Sequence, residues 1–96
     1  MKYPKEYLDE IKTRLKVSTV VSKSVNLKKR GKEFVGLSPF KTEKTPSFTV
    51  NDEKGFYHCF STAEHGNIFD FIMKTQNLKF GEAVKYLANL AGMQPY

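Results

Sequence analysis

Near the start of the chain, apolar residues recur with a helical period. Tyr7, Leu8, Ile11 and Leu15 share one face, which predicts a helix from Tyr3 to Lys16. Pro4 falls in its first turn, where the missing N–H costs nothing. Glu6, Asp9 and Glu10 come early and Lys12, Arg14 and Lys16 late, the order the helix dipole favours. Ser18 is placed to cap a short turn through Val21. At Val25 the period changes to two: Val25 and Leu27 alternate with Asn26 and Lys28, and Phe34, Val35 and Leu37 form a return strand after a turn near Arg30-Gly31. Ser47–Val50 and Gly55–Phe60 predict two more strands, joined by the turn residues Asn51-Asp52-Glu53-Lys54-Gly55. Pro39 and Pro46 make the segment between Leu37 and Ser47 an irregular, ordered loop.

His65-Gly66-Asn67 punctuates the chain, with Asn67 as a helix cap. Ile68, Phe71 and Ile72 then mark a helix ending near Gln76-Asn77. A last helix runs from Phe80 to Ala91 on Phe80, Ala83, Val84, Leu87 and Ala88, and Gly92 stops it. The predicted architecture is α+β: an N-terminal helix, a small antiparallel meander of about four strands, and two C-terminal helices packed on one side of it. Phe40, Phe69, Phe71 and Phe80 are assigned to the core.

At 96 residues the chain fits a single domain, residues 1–96. Lys and Arg total 16 against 10 Asp and Glu, giving +6 and a pI near 9.5. That balance favours an anionic partner, nucleic acid first. The single Cys excludes an internal disulfide and suits a reducing compartment. There is no apolar run of the roughly 18 residues a membrane span needs, and no signal-peptide pattern. The protein is therefore expected to be cytoplasmic, away from the membrane. Met1 reads as a natural start; the closing AGMQPY has no tail character, so the chain is expected to belong to something longer.

Catalytic patterns are missing. The acids Glu43, Asp52 and Glu53 fall in turns, and no phosphate loop, G-x-S-x-G or H-E-x-x-H occurs. Cys59 and His58 are neighbours on a strand, so their side chains face opposite ways and do not form a nucleophile–base pair. Cys59, His58 and His65 alone are too few for tetrahedral zinc.

The segments VNLKKRGKEFVGLSPF, EKTPSF, GFYHCF, GNIFDFIM and FGEAVKYLANLAG, in this order, resemble the N-terminal zinc-binding (zinc-ribbon) domain of bacterial replicative DNA primases of the DnaG type. The resemblance starts at PKEYLDEIKTRL and covers nearly the whole chain. It implies a domain that joins no nucleotides itself. Such a domain binds single-stranded DNA template and works with a polymerase domain on the short RNA primer in DNA replication. The parent protein would use Mg²⁺ only in its polymerase domain and would meet the replicative helicase through its full length.

The zinc pattern of that family, C-x2-H-x17-C-x2-C in type, aligns with Ser38, Lys41, Cys59 and Thr62. Three of these four are not zinc ligands, so the domain is expected to bind no zinc; a rearranged site on Cys59 and His65 is the alternative. Hydrogen bonds from Ser38, Thr62 and Lys41, with Lys41 paired to Glu64 or Glu43, are expected to close the knuckle over Phe40, Phe48 and Phe60. For the template, Lys28, Lys29, Arg30, Lys32, Lys44 and Lys54 are the phosphate candidates, and Phe34, Phe48, Tyr57 and His58 the stacking or base-edge candidates. The competing reading is a metal-free interaction module docking on the polymerase domain or the replisome.

Overall fold

The structure is a computed structural model that describes residues 3–96. Met1, read as a natural start, lies outside the described residues. Helix α1 spans Lys5–Arg14. Pro4 stands before it as the N-cap in extended conformation, and its carbonyl accepts from Tyr7 N (3.1 Å) and Leu8 N (3.3 Å). The helix is shorter than the periodicity predicts because Leu15 turns extended, which lets Leu15 and Val17 both reach the core.

Helix α2, Val17–Val21, has Lys16 at its N-cap position, so Ser18 lies inside the helix and is not its cap. Its start is held by Asp52, 34 residues away, whose Oδ1 accepts from Ser18 N at 2.8 Å. The expected strand at Val25–Leu27 does not form. Val25 N donates to Val21 O at 2.9 Å, extending the helical exit, and its side chain is buried.

Five strands follow: β1 Lys28–Arg30, β2 Glu33–Gly36, β3 Phe48–Asn51, β4 Phe56–Cys59 and β5 His65–Gly66. They form one sheet in the order β1-β2-β3-β4-β5, each pair antiparallel. The sequence predicts four; β5 is only two residues long, below the length at which alternation is visible. Gly66 in this strand is required by space: a Cβ there would sit 2.5 Å from the Cβ of Asp70. Asp70 cannot yield, since its carboxylate accepts from Asn67 N at 2.9 Å while Asn67 Oδ1 accepts from Asp70 N at 3.1 Å, the capping box that starts the next helix.

Helix α3 is Ile68–Thr75 and α4 is Phe80–Leu90. Helices α2 and α3 lie on one face of the sheet, α4 packs on α3, and α1 packs on α4. The core between them holds Phe48, Val50, Tyr57 and Cys59 from the sheet, Ile68, Phe69, Phe71 and Ile72 from α3, and Ala83, Val84, Leu87 and Ala88 from α4. Phe80, expected in the core, is 40% exposed. It is the first residue of its helix, where the apolar stripe leaves the interface, and its ring sits edge-on to Tyr3 and tilted against Phe69. Among the described residues no helix is long and apolar enough to cross a membrane.

Candidate nucleic-acid interface and the knuckle beside it

Residues directly opposite one another in an antiparallel sheet point to the same side. The registers therefore define two faces. The face toward the helices carries Lys29, Phe34, Val50, Tyr57 and Gly66 in one row and Gly36, Phe48 and Cys59 in the next. The outer face carries Lys28, Val35, Thr49, His58 and His65 in one row across all five strands, and Arg30, Glu33, Asn51 and Phe56 in another.

No helix packs on this outer face among the described residues. Phe56 is 45% exposed and Phe60, just past β4, is 69% exposed. The Phe60 ring lies 4.4 Å from that of His58, and His58 stacks nearly parallel on His65, 6.1 Å away with 18° between planes. Three rings thus form a connected patch at the β4–β5 edge of the sheet, and Lys28 and Arg30 stand on the same face at the opposite edge, β1, across β2 and β3.

Two stacking candidates from the sequence belong elsewhere. Tyr57 and Phe48 are fully buried, their rings 5.4 Å apart and near-parallel, with Phe71 and Phe40 completing the cluster. Neither has a free π-face to offer a base. Burial pushes the Tyr57 phenol above its ordinary pKa, outweighing the nearby Lys74 charge. Phe34 also points inward, half-buried against the core. His58 alone of that group stands on the outer face. Phe56, Phe60 and His65 join it and are absent from the sequence-derived set. Alternation along Gly55–Phe60 does place Phe56, His58 and Phe60 together; which of the two faces is covered depends on the helices.

The basic candidates are all exposed but spread out. Lys28, Lys29 and Arg30 form the edge strand itself rather than a loop tip. Lys32 lies in the β1–β2 turn with Gly31, whose φ of +63° suits glycine. Lys54 lies in the β3–β4 turn, its N–H bonded to Asn51 Oδ1 at 2.8 Å. In a meander these two turns share one end of the sheet. Lys44 lies in the loop at the opposite end, between β2 and β3.

That opposite end is the knuckle, made by the β2–β3 loop and the β4–β5 turn. Glu43 is its centre. One carboxylate oxygen accepts from Ser38 N (2.9 Å) and Ser47 N (3.2 Å), and Ser47 Oγ lies 2.7 Å from the other. These bonds, Ser38 N–H foremost, hold the Glu43 carboxyl below its ordinary pKa. Cys59 Sγ is 3.2 Å from Ser38 Oγ and 3.3 Å from Ser61 Oγ, and Ser47 Oγ and Ser61 Oγ lie within hydrogen-bond distance of each other at 3.0 Å. Burial raises the Cys59 thiol, but hydrogen bonds from the Ser38, Ser61 and Thr62 side chains and the Thr62 backbone overcome it and bring the pKa to about 6.

Lys41 takes no part in this closure, contrary to expectation. It is exposed, Glu43 is occupied by Ser38 and Ser47, and Glu64 pairs with Lys74 at 2.6 Å. Thr62 does contribute, its Oγ1 accepting from Glu64 N at 3.3 Å. Phe40 and Phe48 pack beneath the knuckle with rings 6.0 Å apart, whereas Phe60 turns out to solvent because it follows the last inward residue of β4.

Residues 3–95 match the family model described as CHC2 zinc finger. The chain is 43% identical over 94 residues to a DNA primase of Haemophilus influenzae, covering 97% of this chain and 16% of that protein. It is 46% identical over 91 residues to a DNA primase of Pseudomonas putida, covering 95% of this chain and 14% of that protein. Among solved structures, the zinc-binding and RNA polymerase domains of the Aquifex aeolicus primase superpose with a TM-score of 0.86 at 28% identity, covering 94% of this chain and 22% of that one.

Proposed function

The chain belongs to the CHC2 zinc-finger family, the zinc ribbon of DnaG-type primases, and on that premise we propose that it is the template-binding domain of a DNA primase. In this reading it holds single-stranded DNA on the outer face of its sheet and presents it to a polymerase domain that makes the RNA primer. The nucleotidyl transfer, with its Mg²⁺, belongs to that polymerase domain. A replicative helicase would engage the full-length protein, in the cytoplasm.

The observation that carries this reading is the exposed ring patch of Phe60, His58 and His65, continued by Phe56, on the same face of the sheet as Lys28 and Arg30 of the far edge strand β1. Single-strand binders pair aromatic platforms for bases with cations along the backbone, and each stacked base contributes about 1–3 kcal/mol. Exposed phenylalanine on an uncovered sheet face otherwise costs solubility, so its presence there points to a partner with flat apolar faces. Lys28 and Arg30 project on the same side as the rings and are the better phosphate candidates. Lys29 projects to the other side, while Lys32 and Lys54 flank one end and Lys44 the other.

Fluorescence anisotropy with a labelled single-stranded oligonucleotide tests it. The expected result is weak binding that falls steeply with salt and is lost in K28E/R30E. Binding to an isolated polymerase domain with no response to DNA would instead favour a docking module.

A further inference from the structure

The family's name implies a zinc ion, and the residues present here do not fit one. At the four aligned positions stand two hydroxyls (Ser38, Thr62), an ammonium (Lys41) and one sulfur (Cys59). Zinc is held by thiolates, imidazoles and carboxylates, and a lysine cation repels it. The groups that could substitute are engaged elsewhere. His65 lies on the outer face of the sheet opposite His58, whereas Cys59 points inward. Both Glu43 oxygens are taken by Ser38 and Ser47, and Glu64 is paired with Lys74. Among the described residues no three His, Cys, Asp or Glu stand together as a metal site.

We propose that this knuckle is a metal-free closure, in which the Glu43 carboxylate and the hydroxyls of Ser38, Ser47 and Ser61 join around Cys59 the same two backbone segments that a zinc ion would join. The connections support this one by one. Glu43 ties Ser38, near the start of the β2–β3 loop, to Ser47 at its end. The two contacts of Ser38 and Ser61 with Cys59 Sγ, and the Ser47–Ser61 bond, tie that loop to the β4–β5 turn. Backbone bonds complete the turn: Cys59 N donates to Glu64 O at 2.7 Å and Ala63 N to Cys59 O at 2.8 Å. The loop ends are thus pinned to the segments that a metal clip would pin. The closure has its own centre, Glu43, which is not one of the four aligned positions. A hydrogen-bonded knuckle of this kind works only with an acceptor able to take several donors at once, and a carboxylate does that.

The test is elemental analysis of the chain purified without chelator or histidine tag, with thermal melts with and without EDTA. Essentially no zinc and an unchanged Tm are expected; about one zinc per chain, or a Tm that drops in chelator, overturns the proposal. Glu43→Ala is expected to lower Tm by roughly 5–10 °C, as loss of a multiply bonded carboxylate does in a domain of this size. An unchanged Tm in E43A would remove Glu43 from the closure. The triple variant S38C/K41H/T62C is expected to take up about one zinc per chain and to become chelator-sensitive. A folded triple variant that takes up no zinc would show that these positions do not form a knuckle. Should it not fold, the zinc content and EDTA melts of the unaltered chain and the E43A melt still decide.

Discussion

Ser18 and Asp52 are 34 residues apart in sequence and joined twice in space: Asp52 Oδ1 accepts from Ser18 N at 2.8 Å and Oδ2 from Ser18 Oγ at 2.5 Å. The β3–β4 turn thereby supplies the N-terminal acceptor that α2 lacks in its own sequence, since Lys16 offers no cap. Helix and sheet are locked through a carboxylate at the positive end of a helix. Asp52→Ala is expected to destabilise the chain by about 1 kcal/mol, within the 0.5–2 kcal/mol that lost caps cost. Urea unfolding of D52A and S18A measures it, and the double variant should lose little more than either single one.

Two aromatic residues on opposite sides of β4 and its continuation should separate stability from binding. Tyr57 is core, so Tyr57→Ala is expected to cost about 3–5 kcal/mol, while Tyr57→Phe folds and binds oligonucleotide as before. Phe60 is 69% exposed, so Phe60→Ala should leave Tm nearly unchanged and weaken single-strand binding about tenfold, one stacked base's worth. Melts and anisotropy on the three variants together check both halves. A loss of binding in Y57F with Phe60 dispensable would reverse the assignment of the two faces.

The β1 edge makes a prediction about salt. Each phosphate neutralised on a single strand contributes about 0.7 to the slope of log K against log salt. Lys28→Ala and Arg30→Ala, on the ring-bearing side, should each reduce that slope by roughly this amount. Lys29→Ala, facing the other way across from Phe34, should change it less. Titrations at several salt concentrations distinguish them.

Glu43 sets a pH limit on the knuckle. Its folded pKa lies below the ordinary value of 4.5, held there first by the Ser38 N–H and then by Ser47. A depressed carboxyl contributes stability that is fully present above the unfolded pKa and is lost as pH falls through the folded one. Unfolding measured from neutral pH downward should therefore show a gap between the unaltered chain and Glu43→Gln at neutral pH. That gap should close only below the ordinary carboxylate range. A gap independent of pH would mean that the amide introduced by Glu43→Gln fails for steric reasons, not for want of charge.

Local chemistry made much of the fold readable from the chain alone. The helical stripe of Phe80–Ala91, the Asn67 cap, the turn at Asn51–Gly55 and the alternation along Gly55–Phe60 each rest on contacts within a few residues, and each is present in the structure. The ordered run of segments from VNLKKRGKEFVGLSPF onward likewise identified the zinc-ribbon architecture. What tertiary structure alone decided was which side of each element is covered. Period-two alternation says that Phe56, His58 and Phe60 face one way and Tyr57 and Cys59 the other. Only the placement of α2 and α3 against one face makes the first set exposed and the second core. The same holds for the acids. Glu43 and Asp52 read as turn residues, and Glu64 as a partner for Lys41, because the sequence does not show which donors reach them: Ser47 for Glu43, Ser18 for Asp52 and Lys74 for Glu64. A carboxylate's role depends on which donors reach its two oxygens, and for two of these three acids those donors come from elements far along the chain.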